Sequence, residues 1–495
     1  MKRAPSGILP LIAIDRKAAK ALHRQIYDAY RTGIVSGGLH PGQRLPSTRV
    51  LASELGVSRF PVLNAYAQLL AEGYFESRVG AGTVVSRLLP DQVTPSKPTT
   101  RARLGGTRSG PRPVARRATA LRRVQGLPRL LGAGAFRVGE VAFDQFPVHV
   151  WSNLVSRRSR NLNAQSLYYG DPLGFKALRE MIAGYLRTAR SLVCDAEQVM
   201  IVSGSQQALE LTTRVLLDPG SSVWVEEPGY RMAQDVFTLN DCHLVPVPVD
   251  REGLDVAAGI KQSPEARAAL VTPSHQFPLG VTMSASRRFQ LLEWAQRNGS
   301  WIIEDDYDSE YRYESLPIAS LQGLDSNARV VYIGTFSKVL FPSLRLGYVV
   351  IPSDLMERFL PIRRAMDLGP PTFYQEVLAE FIGEGHFARH IRRMRVLYRE
   401  RRSALVNSLH EELGSRVEVL GSEAGMHLVV TLPKGSRDVE IAERAARQNL
   451  WMWALSPAYL GAAAQPGLIL GFGSASLAEI PRAVSKLRGL LTMIR

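Results

Sequence analysis

The sequence predicts two folded domains, a small α+β head and a large α/β domain whose sheet is mostly parallel. Residues 1–86 hold short helical segments followed by a glycine-tipped hairpin, whereas residues 136–495 alternate apolar strands with helices. Residues 87–135, between the two, are rich in proline and arginine and have little apolar periodicity, which predicts a flexible basic linker. A chain of 495 residues is long enough for at least two domains.

Net positive charge is confined to the N-terminal part of the chain. The first 135 residues hold 22 Lys+Arg against 6 Asp+Glu, a net charge of +16, and the remaining 360 residues hold 39 of each sign. A basic segment attached to a neutral body predicts a polyanionic partner, most simply nucleic acid.

The composition also predicts the cellular location. Cys194 and Cys242 are too few for a disulfide framework and fit a reducing cytoplasm. The segment Met1 to Leu9 is basic and broken by proline and glycine, unlike a secretory signal, and no apolar run reaches membrane-spanning length. We therefore expect a cytoplasmic protein with no membrane partner.

The head is predicted to contain two short helices joined by a glycine turn. Helical spacing and capping residues predict helices over Leu22–Val35, Thr48–Leu55 and Arg59–Glu72. Ser47 and Ser58 stand at the N-caps of the second and third helices, and Gly56 makes the turn between them. Residues 74–85 then predict a hairpin. Together these elements predict a helix-turn-helix followed by a wing.

Three short motifs stand out in the head: Pro46-Ser47-Thr48-Arg49, Gly56-Val57-Ser58-Arg59 and Gly80-Ala81-Gly82-Thr83. They resemble the winged helix of GntR-type regulators, and the resemblance implies that the head binds double-stranded DNA at an operator. The DNA contacts that it implies are Arg44, Ser47, Arg49, Ser58, Arg59, Arg78, Gly80 and Gly82. Arginine suits this role because its guanidinium binds both phosphates and guanine edges. The alternative is a small helical packing module whose arginines are merely solvated.

One residue of the head departs from the GntR pattern. Pro61 stands where that family usually has a polar residue, which leaves base reading at this position open. In the linker, nine arginines lie between Arg101 and Arg129. They either add non-specific DNA affinity through counterion release or serve as a solubilising spacer.

The large domain is predicted to place its functional loops after parallel strands. The predicted strands are Val199–Val202, Ser222–Glu226, Trp301–Glu304, Val330–Ile333 and Leu346–Val350, with Leu270 and Val271 at the end of another, and the predicted helices include Gln206–Leu217 and Ser286–Arg297. Ligands of such sheets bind at the carboxyl ends of the strands.

A single lysine, Lys338, lies between the last two predicted strands in a loop of hydroxyl and apolar residues. Burial beside Phe336 and Val339 would lower the pKa of its ammonium and make the amine a usable nucleophile. Arg345, with the hydroxyls of Thr335 and Ser337, could bind a phosphate. A reactive lysine beside a phosphate site is what a pyridoxal 5'-phosphate (PLP) Schiff base requires. The alternative is a surface loop with a solvated lysine.

The ends of other predicted strands carry polar and aromatic groups that would suit the same cofactor. Gly204, Ser205 and Gln206 link a strand to a helix and could cradle a phosphate, and Tyr230 is placed to stack on a flat ring. Glu304, Asp305, Asp306 and Asp308 put four carboxylates within five residues, which repel one another unless a cation or hydrogen bonds offset them.

These motifs resemble fold-type I aminotransferases, in which an Asp-x-Tyr precedes the cofactor lysine by about thirty residues. The resemblance implies that Lys338 forms the Schiff base with PLP, that Asp305 pairs with the pyridine nitrogen and that Tyr307 binds the phenolic oxygen. It also implies that Tyr169 reaches the cofactor phosphate of a neighbouring subunit, and hence a homodimer.

The order of head, linker and large domain resembles the MocR/GabR subfamily of transcriptional regulators. The resemblance implies a homodimer in which each head lies against the large domain of the other chain, with PLP, a small amine or an amino acid as effector. The rival interpretation is a working PLP-dependent aminotransferase with a head that tethers it to DNA. A third, a nucleic-acid-modifying enzyme, has no metal-ligand pattern to support it.

Two departures from aminotransferases bear on turnover. Phe277-Pro278-Leu279-Gly280 replaces their Asn-Pro-Thr-Gly, with His275 and Gln276 as candidate substitutes for the missing amide. Ile469 stands where they carry the arginine that binds the substrate carboxylate, and residues 448–481 contain neither lysine nor arginine. Arg231 is the nearest candidate replacement. We therefore expect little or no turnover of ordinary α-amino acids.

Overall fold

The computed structural model describes residues 12–78, 82–87, 113–115, 117, 134–164, 166–313, 319–421, 423–461 and 464–492. It divides the chain into two compact units, residues 1–113 and 114–495, which are described separately below. The predicted domain boundaries at 86 and 135 stay predictions, because most of the residues between them lie outside the described ranges. None of the helices in those ranges is long and apolar enough to cross a membrane.

The first unit contains a three-helix head with a hairpin. Its elements are α1 (Leu22–Val35), α2 (Thr48–Glu54), α3 (Arg59–Ala71), β1 (Phe75–Arg78) and β2 (Gly82–Val85). The strands are antiparallel, with Phe75 opposite Val85. Tyr30, Tyr66 and Phe75 meet edge to face in the core, with ring centroids 5.1–5.6 Å apart.

The turn between α2 and α3 follows from its capping residues. The Ser47 hydroxyl accepts a hydrogen bond of 3.3 Å from the Val50 amide and so caps α2. Gly56 has φ +63°, a conformation that glycine adopts without strain. Ser58 is the extended N-cap residue of α3, but its side chain makes no cap hydrogen bond. The helix-turn-helix and its wing therefore have the predicted elements, shorter at the ends of α2 and α3 by one residue each.

The second unit is built around a mixed sheet of eight strands in the described residues. The strands are β3 (Val199–Val202), β4 (Ser222–Glu227), β5 (His243–Asp250), β6 (Gly253–Leu254), β7 (Ala268–Val271), β8 (Trp301–Asp306), β9 (Val330–Thr335) and β10 (Gly347–Val350). Their spatial order is β3-β10-β9-β8-β7-β4-β5-β6. Strands β5, β4, β7, β8 and β9 pair in parallel, whereas β10 is antiparallel to both of its neighbours.

Helices cover both faces of this sheet, which explains why its central strands are buried along their whole length, including the carboxylates of Glu304, Asp305 and Asp306 in β8. Every residue of β3, β7, β8, β9 and β10 is buried. The described helices of this unit are Val148–Arg160, Lys176–Arg190, Ser205–Leu216, Arg231–Leu239, Val256–Gln262, Ala285–Asn298, Leu321–Leu324, Met356–Asp367, Phe373–Gly383, His386–Leu413, Asp438–Ala446 and Glu479–Thr492.

A second, smaller sheet closes the C-terminal part of the unit. It consists of β11 (Val419–Leu420), β12 (His427–Thr431), β13 (Trp453–Ala454) and β14 (Gly467–Gly471), in the antiparallel order β11-β12-β14-β13. The long helix His386–Leu413 and the last helix, Glu479–Thr492, share one apolar core with this sheet.

Candidate cofactor site and DNA-binding head

The register of three strands brings two distant loops of the large unit together. Gly347, at the start of β10, pairs with Val202 at the end of β3 and with Thr335 at the end of β9. The turn after β3 and the lysine loop after β9 therefore leave the sheet side by side. A Cβ added to Gly347 would lie 3.0 Å from the Cα of Gly204, so the close approach requires glycine here.

These loops border a cavity of about 280 Å³. Most of the predicted cofactor residues lie on its wall, namely Ser205, Gln206, Tyr230, Asp305, Tyr307, Thr335, Ser337, Lys338 and Arg345. They come from the carboxyl ends of β3, β4, β8 and β9, where ligands of open α/β sheets bind.

One side of the cavity has the features of an anion site. The helix Ser205–Leu216 begins at the wall and directs its free N-terminal amides there. Gly204, its N-cap residue, has φ +111°, and a Cβ at this position would lie 3.2 Å from Nη2 of Arg345. Arg345 itself has φ +50° and no acidic partner among the described residues. A guanidinium beside a helix N-terminus suits a phosphate group.

Lys338 faces the same cavity and contacts a residue that the sequence motifs missed. Its Nζ donates a hydrogen bond of 2.9 Å to the Gly139 carbonyl. Burial lowers the pKa of the Lys338 ammonium, and Asp308 and Asp305 oppose this shift. A Cβ on Gly139 would lie 2.4 Å from Nζ, so a side chain at this position would displace the amine from where it now lies.

The four clustered carboxylates near the end of β8 have different partners. The Leu321 and Gln322 amides donate to Glu304 at 3.0 Å, so this residue caps a helix. Asp306 forms a buried ion pair of 2.7 Å with Arg190 and accepts a hydrogen bond from Tyr332. These contacts provide the compensation that clustered, buried carboxylates require.

Asp305 differs from the other carboxylates of the cluster. It is buried at the cavity, and its Oδ1 has no hydrogen-bond partner in the described structure. Burial, reinforced by Asp306, Glu226 and Asp308, raises the pKa of this carboxyl to about 7, against the opposing effect of Lys338. A protonated pyridine nitrogen would provide the missing partner. The unpaired Asp305 oxygen and the narrow cradle at Gly204 therefore fit PLP.

Tyr307 is held from behind by a histidine and a carboxylate. The His275 Nδ1 atom lies 2.9 Å from the Tyr307 hydroxyl oxygen and 3.1 Å from both carboxylate oxygens of Asp308. One ring nitrogen cannot donate and accept at once. When His275 donates to Asp308, the hydroxyl proton of Tyr307 is free to be donated into the cavity.

His275, Asp308 and His427 also form a buried group that the sequence does not reveal. One potential ligand atom from each lies within 4.8 Å of the others, a spacing at which a metal ion could be shared, although no metal ligands are predicted from the sequence. His427 Nε2 donates 2.9 Å to the Pro278 carbonyl, and burial together with His275 lowers the pKa of His427 to about 3. Asp308 and His427 belong to the cavity wall, whereas His275 lies behind it, and its Nε2 has no hydrogen-bond partner in the described structure.

The rest of the wall is mainly apolar. It includes Val138, Met232, Phe277, Met426 and Trp453, together with the hydroxyl residue Thr272. Arg231 does not reach it, because its Nη1 donates 3.2 Å to the Pro457 carbonyl. Gln276 does not reach it either, since its amide binds the Glu226 carboxylate and the Pro228 carbonyl. In this structure, Arg231 is therefore not placed to bind a substrate carboxylate in the cavity, and Gln276 is not placed to replace the missing amide.

Tyr169 lies away from the cavity, on an exposed surface. It is 73% exposed, next to Tyr168 at 74% and Leu167 at 75%. These residues border a shallow depression together with the segment 367–372. Tyr169 could therefore serve a cofactor only in another subunit.

In the head, the predicted DNA-contacting residues are exposed around α2 and α3. Arg44, Ser47, Arg49, Ser58 and Arg59 are all exposed, and the Arg59 Nε donates 3.2 Å to the Thr48 hydroxyl. Gly82 begins β2 with φ +80°. Gly80 and the side chain of Arg78 lie outside the described residues.

Two protein families match the chain. Residues 22–85 match the family described as bacterial regulatory proteins, gntR family, and residues 131–467 match the family described as aminotransferase class I and II. These matches cover the head and most of the large unit.

Two relatives that match nearly the whole chain have the names of regulators. The probable rhizopine catabolism regulatory protein MocR of Rhizobium meliloti is 38% identical over 478 residues, 97% of this chain and 95% of that protein. The HTH-type pyridoxine biosynthesis transcriptional regulator PdxR of Corynebacterium glutamicum is 32% identical over 483 residues, 96% and 98% of the two chains. Among solved structures, the kynurenine aminotransferase of Pyrococcus horikoshii in complex with PMP is 29% identical, with a TM-score of 0.69 over 74% of this chain and 92% of that one.

Fold, cavity and comparisons together define a class of protein, DNA-binding regulators that carry a fold-type I aminotransferase-like domain with PLP as cofactor. The chain belongs to the MocR/GabR subfamily of GntR-type transcriptional regulators. The regulator interpretation is thereby supported over that of an aminotransferase with a tethering head.

Proposed function

We propose that this regulator binds its operator in the cytoplasm as a homodimer, and that PLP bound at Lys338 is the signal that changes its operator affinity. The composition of the cavity wall carries the proposal. The described wall holds a lysine, an arginine beside a helix N-terminus and an unpaired carboxylate, but no second cationic side chain for a substrate carboxylate.

Four polar residues of the wall, Lys338, Asp305, Tyr307 and Arg345, have distinct tasks in binding the cofactor. PLP supplies an aldehyde that reacts with amines and a ring that withdraws electrons. The Lys338 amine is available to bond this aldehyde because burial lowers its pKa. With the cofactor bound, the Asp305 carboxylate would accept a hydrogen bond from the protonated ring nitrogen, and the Tyr307 hydroxyl would donate one to the phenolic oxygen. Arg345 and the amides at Ser205 offset the charge of the phosphate.

The apolar part of the wall bears on the choice of effector. A carboxylate enclosed by Val138, Met232, Phe277, Met426 and Trp453 without a cation would be costly to desolvate. PLP brings its own anion to the Arg345 side and needs no such cation. A small amine that reacts at the cofactor is the second candidate, since it adds no carboxylate. The pyridoxine biosynthesis regulator among the relatives favours the first candidate, by its name.

A homodimer is supported by the exposed surface around Tyr169. Leu167, Tyr168, Tyr169 and Leu368 are between 57% and 75% exposed on one side of the large unit. Large apolar side chains grouped in this way favour burial against a partner, and a second copy of the chain is the partner that gives Tyr169 a cofactor to bind.

The test measures operator binding by the full-length protein stripped of cofactor, on DNA upstream of its own gene. PLP is then added without any amino acid, and afterwards a panel of amines and amino acids is added with PLP. We expect PLP alone to change the affinity. Unchanged affinity on adding PLP, combined with a change on adding an amine, would assign the signal to the amine. Transamination of a common amino acid at a kcat on the order of 1–10³ per second would contradict the sensor role.

A further inference from the structure

The solvent-facing side of helix α3 is apolar near its N-terminus. Phe60 is 70% exposed, and Leu63, one turn later on the same face, is 41% exposed. The opposite face is the buried one, formed by Val62, Ala65, Tyr66 and Leu69. A large aromatic side chain in this exposed position contributes little to the core, so its role lies in what the helix contacts.

The surroundings of Phe60 identify that contact as DNA. Arg44, Arg49 and Arg59 are exposed close to the helix in sequence, and they complement the charge of a phosphate backbone. The Ser58 hydroxyl makes no cap hydrogen bond, which leaves it and the helix N-terminus available to a phosphate. In a helix-turn-helix, the N-terminal residues of the second helix are those that face the base edges in the major groove.

The chemistry of Phe60 then selects the base. Thymine is the only standard DNA base that presents a methyl group in the major groove, and apolar side chains recognise it by packing on that group. Asn64, exposed one turn after Phe60, has the amide that pairs with the N6 and N7 edge of adenine. Pro61, the third residue of α3, has neither an N–H nor a polar side chain, so it offers no competing hydrogen-bond reading.

We infer that Phe60, supported by Leu63, reads thymine methyl groups, so that the half-site of the operator contains A·T pairs beneath the N-terminal turn of α3. The inference rests on the proposed operator binding and adds the base that one residue selects. Arg59 supplies the phosphate or guanine contact beside it. Base recognition at this turn, which Pro61 left open, is thereby assigned to Phe60.

The test removes one methyl group at a time from the DNA. A duplex is first enriched from a random-sequence pool with the full-length, PLP-loaded protein, and each thymine of the enriched site is then replaced singly by deoxyuridine. We expect the wild-type protein to lose about fourfold in affinity at one or two positions per half-site, the equivalent of ~0.8 kcal/mol for one methyl-sized group. Phe60→Ala is expected to bind the thymine and uracil versions of those positions equally.

Two control variants separate methyl reading from other roles. Phe289→Ala removes a phenylalanine that is 57% exposed in the large unit, and it should keep the full sensitivity to uracil. Arg59→Ala should weaken binding and reduce the salt dependence if it contacts a phosphate, whereas Phe60→Ala should leave the salt dependence unchanged.

Three outcomes would overturn the inference. Enrichment of a site at which no thymine responds to uracil would contradict it while leaving operator binding intact. Equal uracil sensitivity in Phe60→Ala and wild type would assign the methyl contact to another residue. If no duplex is enriched at all, both this inference and the proposed operator binding fail.

Discussion

In the acidic cluster at the end of β8, Asp305 is the carboxylate with an oxygen that lacks a hydrogen-bond partner in the described structure. Its neighbours cap a helix, pair with Arg190 or hold His275. An unpaired carboxylate at a cavity is costly to ionise, and this cost is removed when a cation arrives. At the scale of single residues, Asp305 therefore couples cofactor binding to pH.

The pH dependence of cofactor binding follows from the Asp305 pKa. Because the folded cofactor-free protein raises this pKa to about 7, Asp305 contributes stability at low pH that is lost as the pH rises through 7. A bound pyridinium pairs with the ionised form and reverses this loss. We expect the gain in melting temperature on adding PLP to be larger at pH 8 than at pH 5. The measurement is differential scanning fluorimetry with and without PLP.

Asp305→Asn should reduce this difference between pH 8 and pH 5. The exposed carboxylate of Asp218 serves as control, and Asp218→Asn should leave the difference as in the wild type. Since Lys338 also binds PLP better when deprotonated, only the part of the pH dependence that Asp305→Asn removes belongs to Asp305. An identical pH dependence in Asp305→Asn would contradict its pairing with the ring nitrogen.

The second prediction at this scale concerns Lys338. Lys338→Ala should fail to retain PLP after dialysis, because no other amine lies on the described wall of the cavity. Borohydride reduction followed by peptide mass mapping should find the cofactor on Lys338 in the wild-type protein. Lys434→Ala, which removes an exposed lysine, should label as the wild type does. Equal labelling of Lys338→Ala would place the covalent bond elsewhere.

At the level of secondary-structure elements, the site depends on the turn that joins β3 to the helix Ser205–Leu216. Gly204 ends the turn after β3 with φ +111°, and the helix Ser205–Leu216 begins directly after it. The neighbouring strand β10 brings Arg345 and Gly347 against the same turn. The anion site is therefore a property of the junction between these elements, and a side chain at Gly204 would disturb it.

Gly204→Ala tests this junction against a matched glycine. Both Gly204 and Gly220 have positive φ, but a Cβ at Gly220 meets nothing within 4 Å, whereas one at Gly204 lies 3.2 Å from Arg345. Each alanine variant should lose about 1–3 kcal/mol of stability from backbone strain. We expect only Gly204→Ala to bind PLP at least tenfold more weakly in a fluorescence titration. If Gly220→Ala lost a comparable amount of PLP affinity, the weaker binding would be due to general destabilisation of the protein.

The sequence predicts the elements well where local signals are strong. Ser47, Gly56 and Ser58 mark the ends of α2 and α3 to within a residue, and apolar runs locate the strands that precede the site. Because parallel strands present their carboxyl ends at one edge, the sequence alone predicts that residues on separate loops lie at one site. The direction of β10 was not predictable, since an apolar run does not encode strand direction.

Other parts of the site depend on tertiary structure that no local pattern encodes. Gly139 lies in an irregular segment, and its contact with Lys338 spans 199 residues of chain. His427 meets His275 only because β12 packs against the loop after β7. The sequence motif around His275 does not show that this side chain lies behind Tyr307 and outside the cavity, because that position depends on how the loop after β7 packs. Likewise, the side chain that reaches the cavity wall is that of Met232, and not that of the preceding residue, Arg231.

At the scale of the whole molecule, the site is proposed to be completed by a second chain. Tyr169 is too exposed to serve its own cavity, so its phosphate contact requires a partner subunit. Tyr169→Phe alone should then weaken PLP binding without changing the oligomeric state in analytical ultracentrifugation.

Mixed dimers test whether Tyr169 acts across subunits. A heterodimer of Lys338→Ala with Tyr169→Phe has one fully intact site if Tyr169 acts in trans, and none if it acts in cis. We expect half of the sites in purified heterodimers to bind PLP with wild-type affinity. The control is the heterodimer of wild type with the double variant, in which the trans arrangement leaves each site with one defect. The opposite pattern, with the intact site in the control, would show that Tyr169 acts in cis.

The central claim, that the cofactor at Lys338 and DNA at the head are coupled, is tested most directly by measuring both affinities in one thermodynamic cycle. Operator affinity is measured with and without PLP, and PLP affinity is measured with and without saturating operator. Linkage requires the two ratios to be equal, and we expect a factor in the range of roughly 5–150 that is absent in Lys338→Ala. Ratios of one in both directions would contradict the account, because the head and the cofactor site would then act independently.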